Sequence, residues 1–202
     1  MERAPEEYLP MQGLTRELAF DPGSWTSERA GRIQGIFDGL APQWHTRDTD
    51  ERRLPIADAL DRGAVLPDGR CAEIGSGTGI HTSVLAAHFG HVMSVDLAPG
   101  MLALAPRRNR VCLVRGDAAR LPVRACSLDA VVCVNAYLFP GEYARVLAAG
   151  GSVVFVSVNG DRTPIYLPPC EVVAALEATL GPCEALTALT GWGRWTVVRR
   201  RS

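Results

Sequence analysis

From residue 70 onward, short apolar runs rich in β-branched residues alternate with segments of helical periodicity. The runs include "CAEIG", "HVMSVD", "VCLVRGD", "LDAVVCVNA" and "SVVFVSV". Continuous apolar runs are typical of parallel strands that helices cover on both faces. The alternation therefore predicts a doubly wound, mainly parallel α/β sheet. Ligands of such sheets bind at the carboxyl ends of the strands, near the point where the strand order reverses.

Two amphipathic segments precede the first predicted strand. The stretch "SERAGRIQGIFDGLAPQWH" places its apolar residues on one face, with Thr26 or Ser27 as an N-cap and Pro42 closing the helix. The stretch "ERRLPIADALDRG" repeats the pattern, and Gly63 follows it as a C-terminal stop. Residues 1–25 show no clear periodicity and carry several prolines and glycines, so we predict a loosely structured lead-in there.

Composition excludes several classes of partner and chemistry. The net charge is -1, so no basic excess indicates a nucleic-acid or anionic-membrane partner. All 21 basic residues are arginine, which excludes a P-loop lysine or a Schiff-base lysine. The start of the chain does not resemble a secretory signal, and the longest apolar run is too short to span a bilayer. With six cysteines and no CxxC pair, we predict reduced thiols and a cytoplasmic location.

Three glycines follow the first predicted strand at alternate positions, Gly75, Gly77 and Gly79. Bare backbone permits unusual dihedral angles and lets a ligand lie against the chain, and the helix start that follows favours an anionic group. A plain structural turn would also fit this cluster. The dinucleotide fingerprint is GxGxxG, whereas here the spacing is GxGxG and Ile80 occupies the place of the third glycine.

The next two predicted strands end in carboxylates. Asp96 closes "MSVD", 21 residues after Gly75, where it can accept hydrogen bonds from both hydroxyls of a ribose. Asp117 closes the following strand in "GD". Because parallel strands end at one edge of the sheet, we expect both side chains to lie beside the same crevice as the glycine turn.

These motifs, "EIGSGTG", "MSVD", "GDAARLP" and "DAVVCVNA", resemble in order those of the class I S-adenosylmethionine-dependent methyltransferases, over roughly residues 55 to 200. The stretches "FDGLAPQWHTRD" and "GTGIH" are similar to small-molecule enzymes of the ubiquinone-biosynthesis type and their relatives in bacterial secondary metabolism. The resemblance implies a Rossmann-like sheet of seven strands in one compact domain. It divides the chain into an N-terminal segment with lid helices, 1–54, and the cofactor-binding part, 55–202.

The resemblance also implies S-adenosyl-L-methionine as cofactor and assigns it residues. The glycine turn would cradle the methionine portion, Asp96 would hold the ribose, and Asp117 with Ala118 would contact the polar edge of the adenine. Glu73 would orient the turn or meet the methionine ammonium. Asn135 would lie beside the methyl group. The full implied set is Glu73, Gly75, Ser76, Gly77, Thr78, Gly79, Asp96, Leu97, Met101, Gly116, Asp117, Ala118, Asn135 and Trp44.

Catalytic candidates are fewer. His45 follows Trp44 at the implied lid and titrates near neutral pH, so it is the best candidate for a general base. Tyr137 leaves the fourth strand at the crevice, while His81 is predicted to pack within its helix. No acidic set for a metal is evident, and "NAYLFP" lacks the [DN]PP[YF] tetrapeptide of nucleic-acid amino methyltransferases.

The expected partner is a small-molecule acceptor, with neither nucleic acid nor membrane, and the oligomeric state is open. Two alternatives also stay open. A nicotinamide-dependent oxidoreductase would use the same scaffold, although Ile80 and the absence of a Tyr-x-x-x-Lys pair disfavour it. A non-catalytic protein that binds S-adenosylmethionine would carry the same motifs.

Overall fold

The apolar runs form one seven-stranded sheet in the computed structural model of the protein, which describes residues 9–201. The strands lie in the order β3-β2-β1-β4-β5-β7-β6. Their bounds are β1 Arg70–Ile74, β2 His91–Asp96, β3 Val111–Arg115, β4 Leu128–Val134, β5 Leu147–Ser157, β6 Cys183–Thr190 and β7 Gly193–Arg200. The predicted doubly wound, mainly parallel sheet of seven strands is confirmed.

Strands β1 to β5 pair in parallel, whereas β7 runs antiparallel to both β5 and β6. From β1 the chain winds outward through β2 to β3, then returns to the other side of β1 to form β4 and β5. The strand order therefore reverses between β1 and β4. A crevice opens at the carboxyl ends of two strands where such a reversal occurs, and ligands of doubly wound sheets bind there.

Helices cover both faces of the sheet. Within residues 9–201 they are α1 Leu9–Phe20, α2 Ser27–Leu40, α3 Asp50–Arg62, α4 Thr82–His88, α5 Pro99–Leu104, α6 Pro140–Val146 and α7 Pro169–Leu180, with short 3-10 turns at Pro22–Ser24, Ala41–Arg47 and Gly160–Arg162. Val131 and Cys133 of β4 face one hydrophobic cluster, and Ala130 and Val132 face the other. Because both sides of β4 are buried, the four consecutive residues Ala130–Cys133 are all apolar.

The prediction of a loose lead-in over residues 1–25 is wrong for residues 9–20, which form α1; residues 1–8 lie outside the described part. Pro10 falls in the first turn, where its missing N–H forfeits no helical hydrogen bond. Leu18 and Ala19 are buried in the core. Gln12 Nε2 donates to two carbonyls of the loop after β5, Asp161 O at 2.9 Å and Thr163 O at 3.0 Å. Tertiary contacts therefore stabilise a helix that carries Pro10 and Gly13 in its first half.

Helix α2 starts as predicted, with the Thr26 hydroxyl accepting from the Arg29 N–H at 3.2 Å, but the chain coils on through a 3-10 turn beyond Pro42. The boundary predicted between residues 54 and 55 falls inside α3. That helix is fixed to the sheet because the Asp58 carboxylate accepts from Trp195 Nε1 at 2.7 Å and from the Thr190 hydroxyl. No helix within residues 9–201 is long and apolar enough to cross a membrane.

Candidate functional site

A cavity of about 540 Å³ lies at the carboxyl ends of β1 and β4, where the strand order reverses. Its walls come from the turn after β1, the ends of β2 and β3, the segment after β4, and the cover formed by α2 and the following 3-10 turn. The loop of residues 159–165 after β5 closes another side. This volume falls in the range of sites that hold small molecules and cofactors.

The glycine turn requires glycine for two reasons. Gly75, Gly77 and Gly79 have φ angles of +65°, +57° and +77°, a left-handed region that disfavours side chains. In addition, a Cβ built on Gly75 would lie 3.0 Å from the Cβ of Ala136, and one on Gly77 would lie 3.4 Å from Trp44 Nε1. The turn therefore brings bare backbone to the cavity wall, as the glycine spacing predicts.

Asp96 ends β2 and lines the cavity beside this turn. Its Oδ2 accepts from the Gly77 N–H at 2.7 Å, and its Oδ1 accepts from the Ala98 N–H at 2.8 Å. Burial raises the pKa of the Asp96 carboxyl, and these backbone donors act in the opposite direction. The carboxylate is thereby held against the glycine turn, and the predicted residues Leu97 and Met101 line the wall next to it.

Asp117, after β3, is held by a residue that the sequence interpretation missed. The Trp25 indole N–H lies 2.9 Å and 3.0 Å from the two carboxylate oxygens of Asp117, and the Ala119 N–H donates to Oδ1 at 2.9 Å. The Trp25 ring also packs against Tyr137 and Phe139, with centroid distances of 6.0 Å and 5.4 Å. The segment before α2 therefore forms part of the site, together with the predicted residues Gly116 and Ala118.

Glu73 lies beneath the turn, is 2% exposed, and is not among the lining residues. Its Oε2 accepts from Ser94 Oγ at 2.6 Å and from Thr82 Oγ1 at 2.7 Å. Burial raises the pKa of this carboxyl to about 7. Because Thr82 begins α4, the carboxyl joins β1 to the helix after the turn, which matches an orienting role and does not bring Glu73 to a ligand. Thr78 and Gly79 likewise belong to the turn but not to the wall.

Asn135 and Tyr137 follow β4 and both line the cavity. Asn135 adopts a φ of +49° and its Oδ1 accepts from the Val158 N–H at 3.0 Å, which fixes the exit of the strand. The Tyr137 hydroxyl is buried and has no hydrogen-bond partner among residues 9–201. Burial raises the pKa of Tyr137 to about 12. At neutral pH the phenol is therefore protonated, so it can donate a hydrogen bond to a ligand but does not serve as a base.

His45 is exposed and is not among the residues that line the cavity. Its Nδ1 lies 3.1 Å from the carbonyl oxygen of Pro42, so the ring is turned back on its own 3-10 turn. Trp44 and Arg47 of the same turn do line the cavity. Trp44 packs edge-on against Phe37 with a centroid distance of 5.7 Å, and the Arg47 guanidinium lies 4.2 Å from the Trp44 ring centroid. A catalytic role for His45 stays a prediction that this position does not favour.

Polar groups missed by the sequence interpretation line the cavity as well. They include Arg47, Arg52 and Arg162, together with His81, which the sequence predicts to pack within its helix. Burial, together with the positive charges of Arg52 and Arg53, lowers the pKa of His81 to about 3, so its ring is neutral near neutral pH. Within residues 9–201, the buried side-chain polar atoms without a hydrogen-bond partner all belong to cavity-lining residues: Arg52 Nε, Ser76 Oγ, His81 Nδ1 and Tyr137 Oη. A ligand or water that enters the cavity can complete the hydrogen bonding of these atoms.

Residues 72–153 match the methyltransferase domain family, and this segment contains the glycine turn, both cavity carboxylates and the exit of β4. Over these 82 of its 202 residues the chain is similar to this family, which agrees with the resemblance of its motifs to those of the class I S-adenosylmethionine-dependent methyltransferases. Among residues 9–201 no group of three or more His, Cys, Asp or Glu is arranged to hold a metal ion.

Curated relatives are methyltransferases of small molecules. The chain is 35% identical over 148 residues to a demethylmenaquinone methyltransferase of Beutenbergia cavernae, covering 67% of this chain and 60% of that protein. It is 39% identical over 112 residues to a trans-aconitate 2-methyltransferase of Methylobacterium nodulans, covering 50% of this chain and 43% of that protein. The chain thus spans at most about three fifths of the length of these relatives.

Solved structures show the same fold at low identity. The DhpI-SAM-HEP complex superposes with a TM-score of 0.68 at 19% identity, covering 87% of this chain and 100% of that one. A SAM-dependent methyltransferase from Aquifex aeolicus gives a TM-score of 0.64 at 14% identity, covering 78% of this chain and 97% of that one. The Rossmann-like architecture predicted from the strand pattern is therefore confirmed.

Proposed function

We propose that this protein transfers a methyl group from S-adenosyl-L-methionine to a small-molecule acceptor in secondary metabolism. The observation that carries the proposal is one cavity in which the left-handed glycine turn and the Asp96 carboxylate adjoin. Bare backbone beside a carboxylate suits a ligand that joins an amino acid to a ribose. The names of the curated relatives, which act on a quinone precursor and on aconitate, support a small-molecule acceptor.

The cavity residues fit the cofactor. Gly75 and Gly77 line the cavity without side chains, so a ligand can lie directly against the backbone there. Ser76 Oγ and Tyr137 Oη are buried polar atoms without partners among the described residues, and both line the wall beside this turn. Trp44 offers an aromatic ring near Gly77, and aromatic faces attract cations such as a sulfonium. Shape, hydrogen-bonding groups and charge all suit the implied cofactor.

The residues would share the work as follows. Gly75 and Gly77 would hold the amino-acid portion, Asp96 the ribose hydroxyls, and Asp117 the polar edge of the adenine. When bound, the cofactor supplies an activated methyl group to a nucleophile in line with it. The contribution of the chain is alignment and exclusion of water, and alignment of this kind is worth roughly 7 to 11 kcal/mol. Tyr137, protonated at neutral pH, would orient the acceptor or cofactor by donating a hydrogen bond.

The proposal is tested by calorimetric titration with S-adenosylhomocysteine. We expect Asp96→Ala to lower the affinity by about 2 to 4 kcal/mol, or roughly 30- to 700-fold, because it removes charge-assisted hydrogen bonds. Asp61→Ala, at an exposed position of α3, is the matched control and should bind like the wild type. Wild-type protein that shows no binding refutes the proposal.

Turnover separates an enzyme from a non-catalytic binding protein. We propose incubating the protein with a methyl-labelled cofactor and metabolite extracts, and following label that enters small molecules. A control with tRNA and DNA tests the further part of the proposal, that nucleic acid is not the acceptor; the near-neutral net charge supports this part. We also propose a cytoplasmic location, which the exposed thiols of Cys112, Cys126 and Cys170 support because they suit a reducing compartment.

A further inference from the structure

Two arginines of the cavity wall lie beside each other. Arg47 ends the 3-10 turn after α2, and Arg52 lies in the first turn of α3. Burial lowers the pKa of the Arg52 guanidinium, and the positive charge of Arg47 lowers it further. Two partly buried charges of the same sign are unfavourable together unless an anion compensates them. The wall therefore holds a local positive charge that favours an anionic ligand.

The described residues do not supply that anion. Within residues 9–201, neither Arg47 nor Arg52 has an ion pair with a carboxylate. The neighbouring Arg53 differs, because it pairs with Asp48 and, at 2.8 Å, with Asp50. Arg52 thus lacks the carboxylate partners that its neighbour Arg53 has in the same helix.

The two carboxylates of the cavity wall are bonded to other groups. Asp96 accepts from backbone N–H groups at the glycine turn, and Asp117 accepts from the Trp25 indole. Neither forms an ion pair with an arginine of the described chain. The described part of the site therefore offers no carboxylate that pairs with Arg47 or Arg52.

Buried polar atoms near these arginines also lack partners. Arg52 Nε and His81 Nδ1 are both buried, and neither has a hydrogen-bond partner among residues 9–201. The two residues are electrostatically coupled, and both line the cavity. The Nε–H of Arg52 is part of the fork of donors that matches a carboxylate. This is a second observation, independent of the charge, that indicates an oxyanion at the same place.

We propose that Arg47 and Arg52, with His81, form an anion subsite that binds a carboxylate group. The subsite rests on the proposed function for the identity of its ligand, since two molecules in that reaction can bring a carboxylate: the amino-acid portion of the cofactor, or an acidic methyl acceptor. A single carboxylate forms a bidentate pair with one guanidinium. If the carboxylate of the cofactor pairs with Arg52, the guanidinium of Arg47 can pair with the carboxylate of an acidic acceptor.

The test compares Arg52→Met and Arg47→Met with Arg53→Met, which removes the same charge from an arginine next to Arg52 in α3 that is already paired. Three probes are used in calorimetry and thermal unfolding: S-adenosylhomocysteine, 5′-methylthioadenosine, which lacks the amino-acid portion, and succinate. Circular dichroism checks that each variant folds. Arg52→Gln, which keeps a hydrogen-bond donor without the charge, is a second variant in case Arg52→Met does not fold.

Each source gives its own result. If the cofactor supplies the carboxylate, Arg52→Met weakens S-adenosylhomocysteine about 10- to 100-fold and leaves 5′-methylthioadenosine unchanged. If the acceptor supplies it, succinate raises the Tm of the wild-type protein loaded with S-adenosylhomocysteine, and Arg47→Met or Arg52→Met abolishes this effect. Either result supports the subsite.

Contrary results are equally distinct. If both cavity variants behave like Arg53→Met with every probe, there is no anion subsite. If the wild type binds neither nucleoside while succinate still stabilises it in a manner that depends on Arg47 or Arg52, the subsite stands and the methyl-transfer proposal fails.

Discussion

Replacing Glu73 by glutamine should change how the stability of the protein depends on pH. Burial raises the pKa of Glu73 from its ordinary value of 4.5 to about 7. The folded state therefore binds a proton more tightly than the unfolded state, and the free energy of unfolding falls as the pH rises between these two values. At 1.36 kcal/mol for each pH unit, the loss amounts to about 3 kcal/mol. Glutamine cannot ionise, so Glu73→Gln should not show this loss.

Urea unfolding of the wild type and the variant at several pH values from 4.5 to 8 measures this difference. We expect the variant to gain stability relative to the wild type as the pH rises, most steeply between pH 5 and 7. Glu184→Gln, at an exposed position of β6, removes a carboxylate without that burial and serves as control. Parallel pH profiles for the wild type and Glu73→Gln would show that the carboxyl is solvated in the folded protein, contrary to the packing described above.

Three further substitutions test the packing and the turn. Asp58→Asn should lower the free energy of unfolding by about 1 to 3 kcal/mol at neutral pH, because the hydrogen bond from Arg62, among others, lowers the pKa of Asp58. This contribution to stability is complete at pH values above the ordinary pKa of 3.8 and is lost as the pH falls below it. Urea unfolding that shows equal losses at acid and neutral pH would contradict the prediction. Gly75→Ala and Gly150→Ala, at φ angles of +65° and +77°, should each lower the free energy of unfolding by about 1 to 2 kcal/mol. Only Gly75→Ala should weaken the binding of S-adenosylhomocysteine in calorimetry. Equal weakening by both substitutions would argue against a ligand at the turn.

The sheet could be predicted from the sequence because each strand carries its own signal. Val131 and Cys133 face one core cluster while Ala130 and Val132 face the other, so β4 is apolar from Ala130 to Val134, as expected for a strand covered on both sides. The glycine turn was equally evident, because the dihedral angles at its three glycines disfavour other residues. These features are local, and local physics determines them.

Other parts of the site depend on contacts between distant segments. Helix α1 carries Pro10 and Gly13, residue types that usually interrupt a helix, and it is stabilised by burial of Leu18 and by hydrogen bonds from Gln12 to the loop after β5. Trp25 could not be assigned to the site, because its bond to Asp117 spans 92 residues of sequence. His45 and Arg47 are two positions apart in one turn, and only the fold shows that Arg47 lines the cavity while His45 points back to Pro42.

This difference has a consequence for specificity. The wall assigned to the cofactor, from Gly75 to Asp117, lies within the matched domain segment, where the turn and the strand ends follow one another in the sequence. The remaining wall combines the cover of residues 25–47 with the loop of residues 159–165. Helix α1 contacts both parts, because Gln12 donates to the loop and Glu17 accepts from Arg29 of α2 at 2.8 Å. A substitution in α1 can therefore shift the loop without touching the glycine turn. We therefore expect the residues that determine which acceptor is bound to lie in the cover and in the loop. No short sequence motif marks these residues.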